Sequence, residues 1–166
     1  SLGRATALKK GDTGVRPLVC HEPLRRLLTR ALVFESGLEV QEYLGPHQFA
    51  VGIAGGCPAM ALSVKKLAHE QKDLVFFKLD LVNAYNTQSR EDALENLTHA
   101  SPELASFLRQ FYGSGSQYFY RTGQNEHCII SAAEGIEQGD AAGPALFACG
   151  LKLSLIHISE PTRRIT

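Results

Sequence analysis

No two cysteines of this chain stand in a C-x-x-C unit, and no two histidines in an H-x-x-x-H pair. The four cysteines (Cys20, Cys57, Cys128, Cys149) and the six histidines are scattered instead. That dispersal speaks against a zinc site and against a disulfide framework, and it makes a reducing, intracellular compartment the expectation. No apolar run approaches the ~20 residues that a spanning helix needs, and no secretory leader is visible, so no membrane partner is expected. Net charge is also missing, since 17 Lys and Arg balance 17 Asp and Glu. The overall charge therefore gives no sign of a nucleic-acid partner. Repeats, low-complexity tracts and linkers are absent as well. With 44% hydrophobic residues among 166, the chain reads as one globular α+β unit with enough apolar mass for a core. It opens on Ser1 and not on Met, so Ser1 is read as an internal position of a longer frame.

Charge is present but unevenly placed. Up to Phe34 the basic residues are Arg4, Lys9, Lys10, Arg16, Arg25, Arg26 and Arg30, against Asp12 and Glu22 alone. A basic end on a neutral chain suits phosphates; a solvated helix face looks the same.

The periodicities give an order of elements. Pro23 opens a helix in which Leu24, Leu27, Leu28, Ala31 and Leu32 form one apolar stripe, with Arg25, Arg26 and Arg30 off it. Gly37 to Gly56 reads as irregular, with Gly45-Pro46 and Gly55-Gly56 as turns. Pro58 begins a second helix ending near Gln71, Lys72-Asp73 turns, and Leu74 to Leu81 is an apolar run expected to be a buried strand. Ser89-Arg90-Glu91-Asp92 caps a helix to about Leu97. Ser101-Pro102 starts another, with Leu104, Phe107, Leu108 and Phe111 on one face. Gln117 to Arg121 and Cys128 to Ala132 flank Gly123-Gln124-Asn125 as a hairpin, and Pro144 starts a final apolar helix.

Two segments carry chemistry. In the first, Asp80 ends the apolar run and Tyr85 follows five positions later. A carboxylate at the end of a buried strand is a rigid, hard oxygen donor of the kind magnesium demands, although an Asp there also serves as an ordinary turn residue. The second, Gly135-Ile136-Glu137-Gln138-Gly139-Asp140, is a Gly-Gln-Gly loop before a helix. Glycines let backbone approach a ligand closely, but Gln-Gly-Asp alone is also a common turn. Gly52 to Gly56 lacks G-x-G-x-x-G spacing and is not read as a dinucleotide loop.

Taken together, Asp80-x-x-Asn83-Ala84-Tyr85-Asn86 resembles the first palm motif of reverse transcriptases, particularly non-LTR retrotransposon enzymes. The Gly135 to Asp140 loop resembles the second, usually Gly-x-x-Gln-Gly-Asp-Pro. Ala141-Ala142 replaces the usual Pro-Leu, while Gly143-Pro144-x-Leu146-Phe147 keeps the pattern. Val15-Arg16-Pro17-Leu18, and Gln48 to Gly52 followed by Gly55-Gly56, resemble two fingers segments. The resemblance spans Lys9 to Leu151 and rests on four motifs in order. It implies a partial right-hand polymerase, with helical fingers at about 1–72 and an incomplete palm at about 73–152, whose sheet is ferredoxin- or RRM-like. It implies that Asp80 and the Leu81 carbonyl hold Mg²⁺ in the complete domain. It implies that Tyr85 packs under the sugar and excludes a 2′-hydroxyl, and that Gln138, Gly139 and Arg16 meet the nucleotide. Lys9, Lys10, Arg25, Arg26 and Arg30 would touch nucleic acid. The implied activity is RNA-directed DNA synthesis, with RNA template, DNA primer and deoxynucleotides as partners, and a nuclear location for a eukaryotic element.

The third palm motif, an aromatic-x-Asp-Asp hairpin, has no counterpart, because no Asp-Asp pair occurs in the chain. Two-metal catalysis places two ions ~4 Å apart, and one carboxylate does not hold both against their hydration. The chain as given is therefore expected to be inactive. A non-catalytic nucleic-acid-binding remnant of a mobile element stands as the alternative. An RNA-templated RNA polymerase is disfavoured by the aromatic Tyr85, and an unrelated α+β domain would make the motifs coincidence. Residues 153–166, from Leu153-Ser154-Leu155-Ile156-His157-Ile158 onward, resemble the translation of a sequencing-library adapter and are expected to make few specific core contacts.

Overall fold

Strand β1 (Leu2–Lys10) pairs antiparallel with β2 (Gly14–Cys20), from Arg4 opposite Cys20 to Lys10 opposite Gly14. The sequence reading assigned no strand here. The turn follows Lys10, where Gly11 takes a left-handed φ of 62°. This computed structural model describes residues 2–12, 14–46, 48–124 and 126–159, the side chains of residues 2 and 153–159 excepted. Thus Asn125 and residues 160–166 lie outside the described residues.

The sheet is mixed, in the order β2-β1-β3-β4. The hairpin of β3 (Ser116–Arg121) and β4 (His127–Ala132) falls where the sequence places it. Strand β1 runs parallel to β3, from Leu2 opposite Gln117 to Ala5 opposite Tyr120. Such a pair needs a long crossover, and the helices supply it. Pro17, which gives no ladder hydrogen bond, sits on the edge strand β2. The chain is a small α+β domain with a mixed four-stranded sheet and several helices.

Helices α1 (Pro23–Glu35), α2 (Gly37–Leu44), α3 (Gly56–Glu70), α4 (Ala84–Thr87), α5 (Arg90–Ala100), α6 (Pro102–Tyr112) and α7 (Gly143–Ser159) complete the order. The core joins α5, α6 and α7: Leu94 and Leu97 pack with Leu104, Leu108, Leu146 and Cys149. Val40 of α2 joins them, so residues 37–44, read as irregular, form a helix docked by one buried side chain. All four cysteines are free, and burial pushes the Cys149 thiol up to about 12 despite the nearby Lys152. The backbone of α7 continues as helix through 153–159, into the adapter-like segment.

Two further expectations fail. Residues 74–81 form no strand and are exposed throughout, Phe77 by 87%. An apolar run shows that burial is wanted; it does not supply a neighbouring strand, and β1 holds the place beside β3. Helix α1 is also turned over. Leu24, Leu27 and Leu28 face solvent, while Arg25 and Thr29 are buried. The reason is electrostatic and lies in the site below.

Candidate functional site

The loop from Gly135 to Asp140 is clamped between two backbones. On one side, Gly135 N donates to Gln88 O at 3.1 Å and Ile136 N to Tyr85 O at 2.7 Å. On the other, Val19 N of β2 donates to Gln138 O at 2.8 Å. Both glycines are required by this clamp. Gly135 has φ +79° and a Cβ there would stand 2.5 Å from Asn86 O; Gly139 has φ +110° and its Cβ would stand 2.6 Å from Val19 O. Gly139 thus makes room for the backbone of β2. Asn83, at φ 53°, is the one non-glycine among the described residues with positive φ, and it starts α4. Asn tolerates that region better than most residues.

The clamp brings separated motifs around one open cavity of about 420 Å³. Lys10 and Arg16 come from the hairpin, Leu81 and Tyr85 from the first motif, and Gln138 and Gly139 from the second. The volume suits a small ligand. Tyr85 stacks on Phe147 with ring centroids 4.8 Å apart, and Gly143 leaves space for its ring. Partial burial raises its phenol above the ordinary value. The Gln138 amide Nε2 donates to Asn86 Oδ1 at 3.3 Å. Asp80 is exposed and adjoins the wall residue Leu81 without itself lining the cavity. Lys9, Arg26 and Arg30 are exposed as expected.

Arg25 is not on that basic surface. Its guanidinium lies inside, with Nη2 donating to Asp140 Oδ2 at 2.7 Å and to Glu137 Oε2 at 3.1 Å, over the Phe111 ring at 4.2 Å. Its Nη1 stands 2.8 Å from His21 Nδ1. A guanidinium has no acceptor, so Nδ1 accepts, and the ring proton sits on Nε2, 2.7 Å from Glu137 Oε2. Tyr118 donates to Glu137 Oε1 at 2.7 Å and Tyr112 to Asp140 Oδ2 at 3.0 Å. Burial, then the two carboxylates, push the Tyr112 phenol well up. Around the rim, Arg90 Nε donates to Gly135 O at 2.8 Å and Nη1 reaches Ser114 O and Ser116 Oγ. This network, which satisfies four buried charges, turns the polar face of α1 inward.

His21, Glu137 and Asp140 also offer three metal-ligand atoms within 4.8 Å of one another, a cluster able in principle to coordinate an ion. In the present arrangement the Arg25 guanidinium supplies the countercharge. No motif exposed the network in advance. Glu137 and Asp140 stood in the loop without an assigned role, and Arg25 lies 112 and 115 positions away from them.

No helix among the described residues is long and apolar enough to cross a membrane. No family model matches this chain, and no curated protein or solved structure matches it either.

Proposed function

We propose that this chain contributes the nucleotide-facing part of an RNA-directed DNA polymerase, the fingers and the first half of a palm. One observation carries the reading: Arg16, Leu81, Tyr85 and Gln138, singled out from motifs far apart in sequence, share the wall of one cavity of about 420 Å³. Lys10 and Arg16 would meet the triphosphate, Gln138 the base, and Tyr85 the sugar. A hydrophobic pocket alone rejects an added hydroxyl by only about 10²-fold, and a rigid ring, held here by Phe147, adds a steric penalty.

The residues present do not fit a two-magnesium centre. Asp80 is the one acid beside the cavity wall with its carboxylate exposed, and the Glu137 and Asp140 carboxylates are buried on Arg25. We therefore expect no primer extension from these 166 residues, with RNA template, DNA primer, deoxynucleotides and Mg²⁺ supplied. In a version that also carries the Asp-Asp hairpin, Asp80→Ala should abolish synthesis. Tyr85→Ala should keep synthesis and admit ribonucleotides more readily. Extension by the Asp80→Ala protein would overturn the metal assignment, and unchanged sugar discrimination in Tyr85→Ala would overturn the gate.

A second reading, nucleic-acid binding without catalysis, is favoured by that lone carboxylate and by the exposed Lys9, Lys10, Arg16, Arg26 and Arg30. Its signature is single-strand binding that falls steeply with salt, together with no synthesis after the hairpin is restored.

A further inference from the structure

Glu137 and Asp140 bracket Gln138 and Gly139 on a single turn, closed by Asp140 N donating to Glu137 O at 3.2 Å. Both acids are buried and meet Arg25; Gln138 and Gly139 between them line the cavity, which Asp140 borders as well. One nitrogen, Arg25 Nη2, bonds both carboxylates, at 3.1 and 2.7 Å. The guanidinium is fixed in turn by His21, by the Phe111 ring and by the first turns of α1. Because Thr29 Oγ1 donates to Arg25 O at 2.8 Å, the backbone at this point of α1 is tied as well.

We propose that Arg25 is a positioning residue: by holding Glu137 and Asp140 on one nitrogen, it fixes the turn that presents Gln138 to the cavity's ligand. The part concerning the ligand rests on the nucleotide reading above; the part concerning the turn does not. A planar fork with five donors does this, whereas a lysine ammonium gives a single point charge without the stacking face. Removing it leaves two buried carboxylates facing each other with one countercharge fewer. The local relief for that repulsion is to open the 137–140 turn, which the core holds at either end through Ile136 and Ala142.

Amide hydrogen exchange on the whole 166-residue chain tests this. In Arg25→Ala, exchange at Val19, Asp140 and Ala142, whose amides bond Gln138 O, Glu137 O and Asp140 Oδ1, should quicken roughly ten-fold or more, the scale of a lost charged hydrogen bond. Ser101, bonded to Leu97 O in the helical core, should hold its rate. Added ethylguanidinium should restore the slow exchange, which a loss of general stability would not allow. Equal quickening at Ser101, or no rescue, overturns the proposal. Should Arg25→Ala not fold, Tyr118→Phe removes one bond to Glu137 Oε1, and the same amides should quicken to a lesser degree; unchanged rates there overturn it. Calorimetry with dGTP separates the two readings. Wild-type binding that weakens in Arg25→Ala in step with exchange supports both. No wild-type binding sinks the nucleotide reading and leaves the turn to be judged by exchange alone.

Discussion

At the centre of the buried cluster the Glu137 carboxyl feels opposed forces. Burial pushes its pKa up, but the hydrogen bonds from His21 and Tyr118 and the charge of Arg25 outweigh burial and hold it at about 2, below the ordinary 4.5. A carboxyl whose folded pKa is depressed adds stability above its unfolded pKa, and loses it as pH falls through the folded one. The window therefore runs from about 4.5 down to about 2. Across it the chain should lose roughly 3 kcal/mol at most, and urea midpoints taken through this range should drop. In Glu137→Gln the drop should be shallower; an equal drop in both proteins would remove Glu137 as its source. Little of this was legible beforehand. Acids are easily counted in a motif, but a buried partner more than a hundred positions away leaves no local trace.

Elements were legible where their signals were local. Ser89 was recognised as a cap, and its Oγ accepts from Asp92 N at 3.2 Å at the start of α5. Ser89→Ala should cost about 1 kcal/mol in thermal or chemical melts. The stripe of Leu104 and Leu108 marked the buried face of α6, and the turn residues marked the β3–β4 hairpin. Strands β1 and β2 escaped because Lys9-Lys10 and Pro17 disguise them, and because β1 gains its second neighbour only from β3, over a hundred residues on. In α1 the leucine stripe named the wrong face except at Leu32, which packs against the core, since the ion network at Arg25 decides the rotation. The loop between α4 and β2 depends on two glycines by close approach as well as by φ. Gly135→Ala and Gly139→Ala should each cost about 1–3 kcal/mol, and Gly123→Ala, with open space around it, should be neutral within about 0.5 kcal/mol. If all three melt alike, the clamp is not what holds the loop.

On the scale of the whole molecule, Tyr85 and Gln138, read from separate segments, line one cavity, while Asp80, expected beside them, stands outside its lining. The exposed flank was not legible in the sequence. Only Gly56 of α3 is buried, and residues 74–82 follow it as a run of open backbone. A 15-residue helix that buries little of its surface is marginal in water, so this flank is weakly anchored. Its composition matters more than its looseness. Leu74-Val75-Phe76-Phe77 joins high β propensity to no charge, and the nearest charges are Lys72 and Asp73 before it and Lys78 and Asp80 after it. The six-residue window Leu74 to Leu79, with Lys78 its one charge, has the length and composition of segments that stack between molecules as cross-β zippers when they lie open. Flanking charges are what natural chains use to keep them apart. The protein should therefore form thioflavin-positive fibrils on standing, more slowly at low salt, where the flanking charges are unscreened. Phe77→Lys should delay them many-fold without moving the melting temperature, because the residue is 87% exposed. A lag time unchanged by the substitution would place the fibril core elsewhere. The same residues that lead up to Asp80 thus set the shelf life of the purified protein.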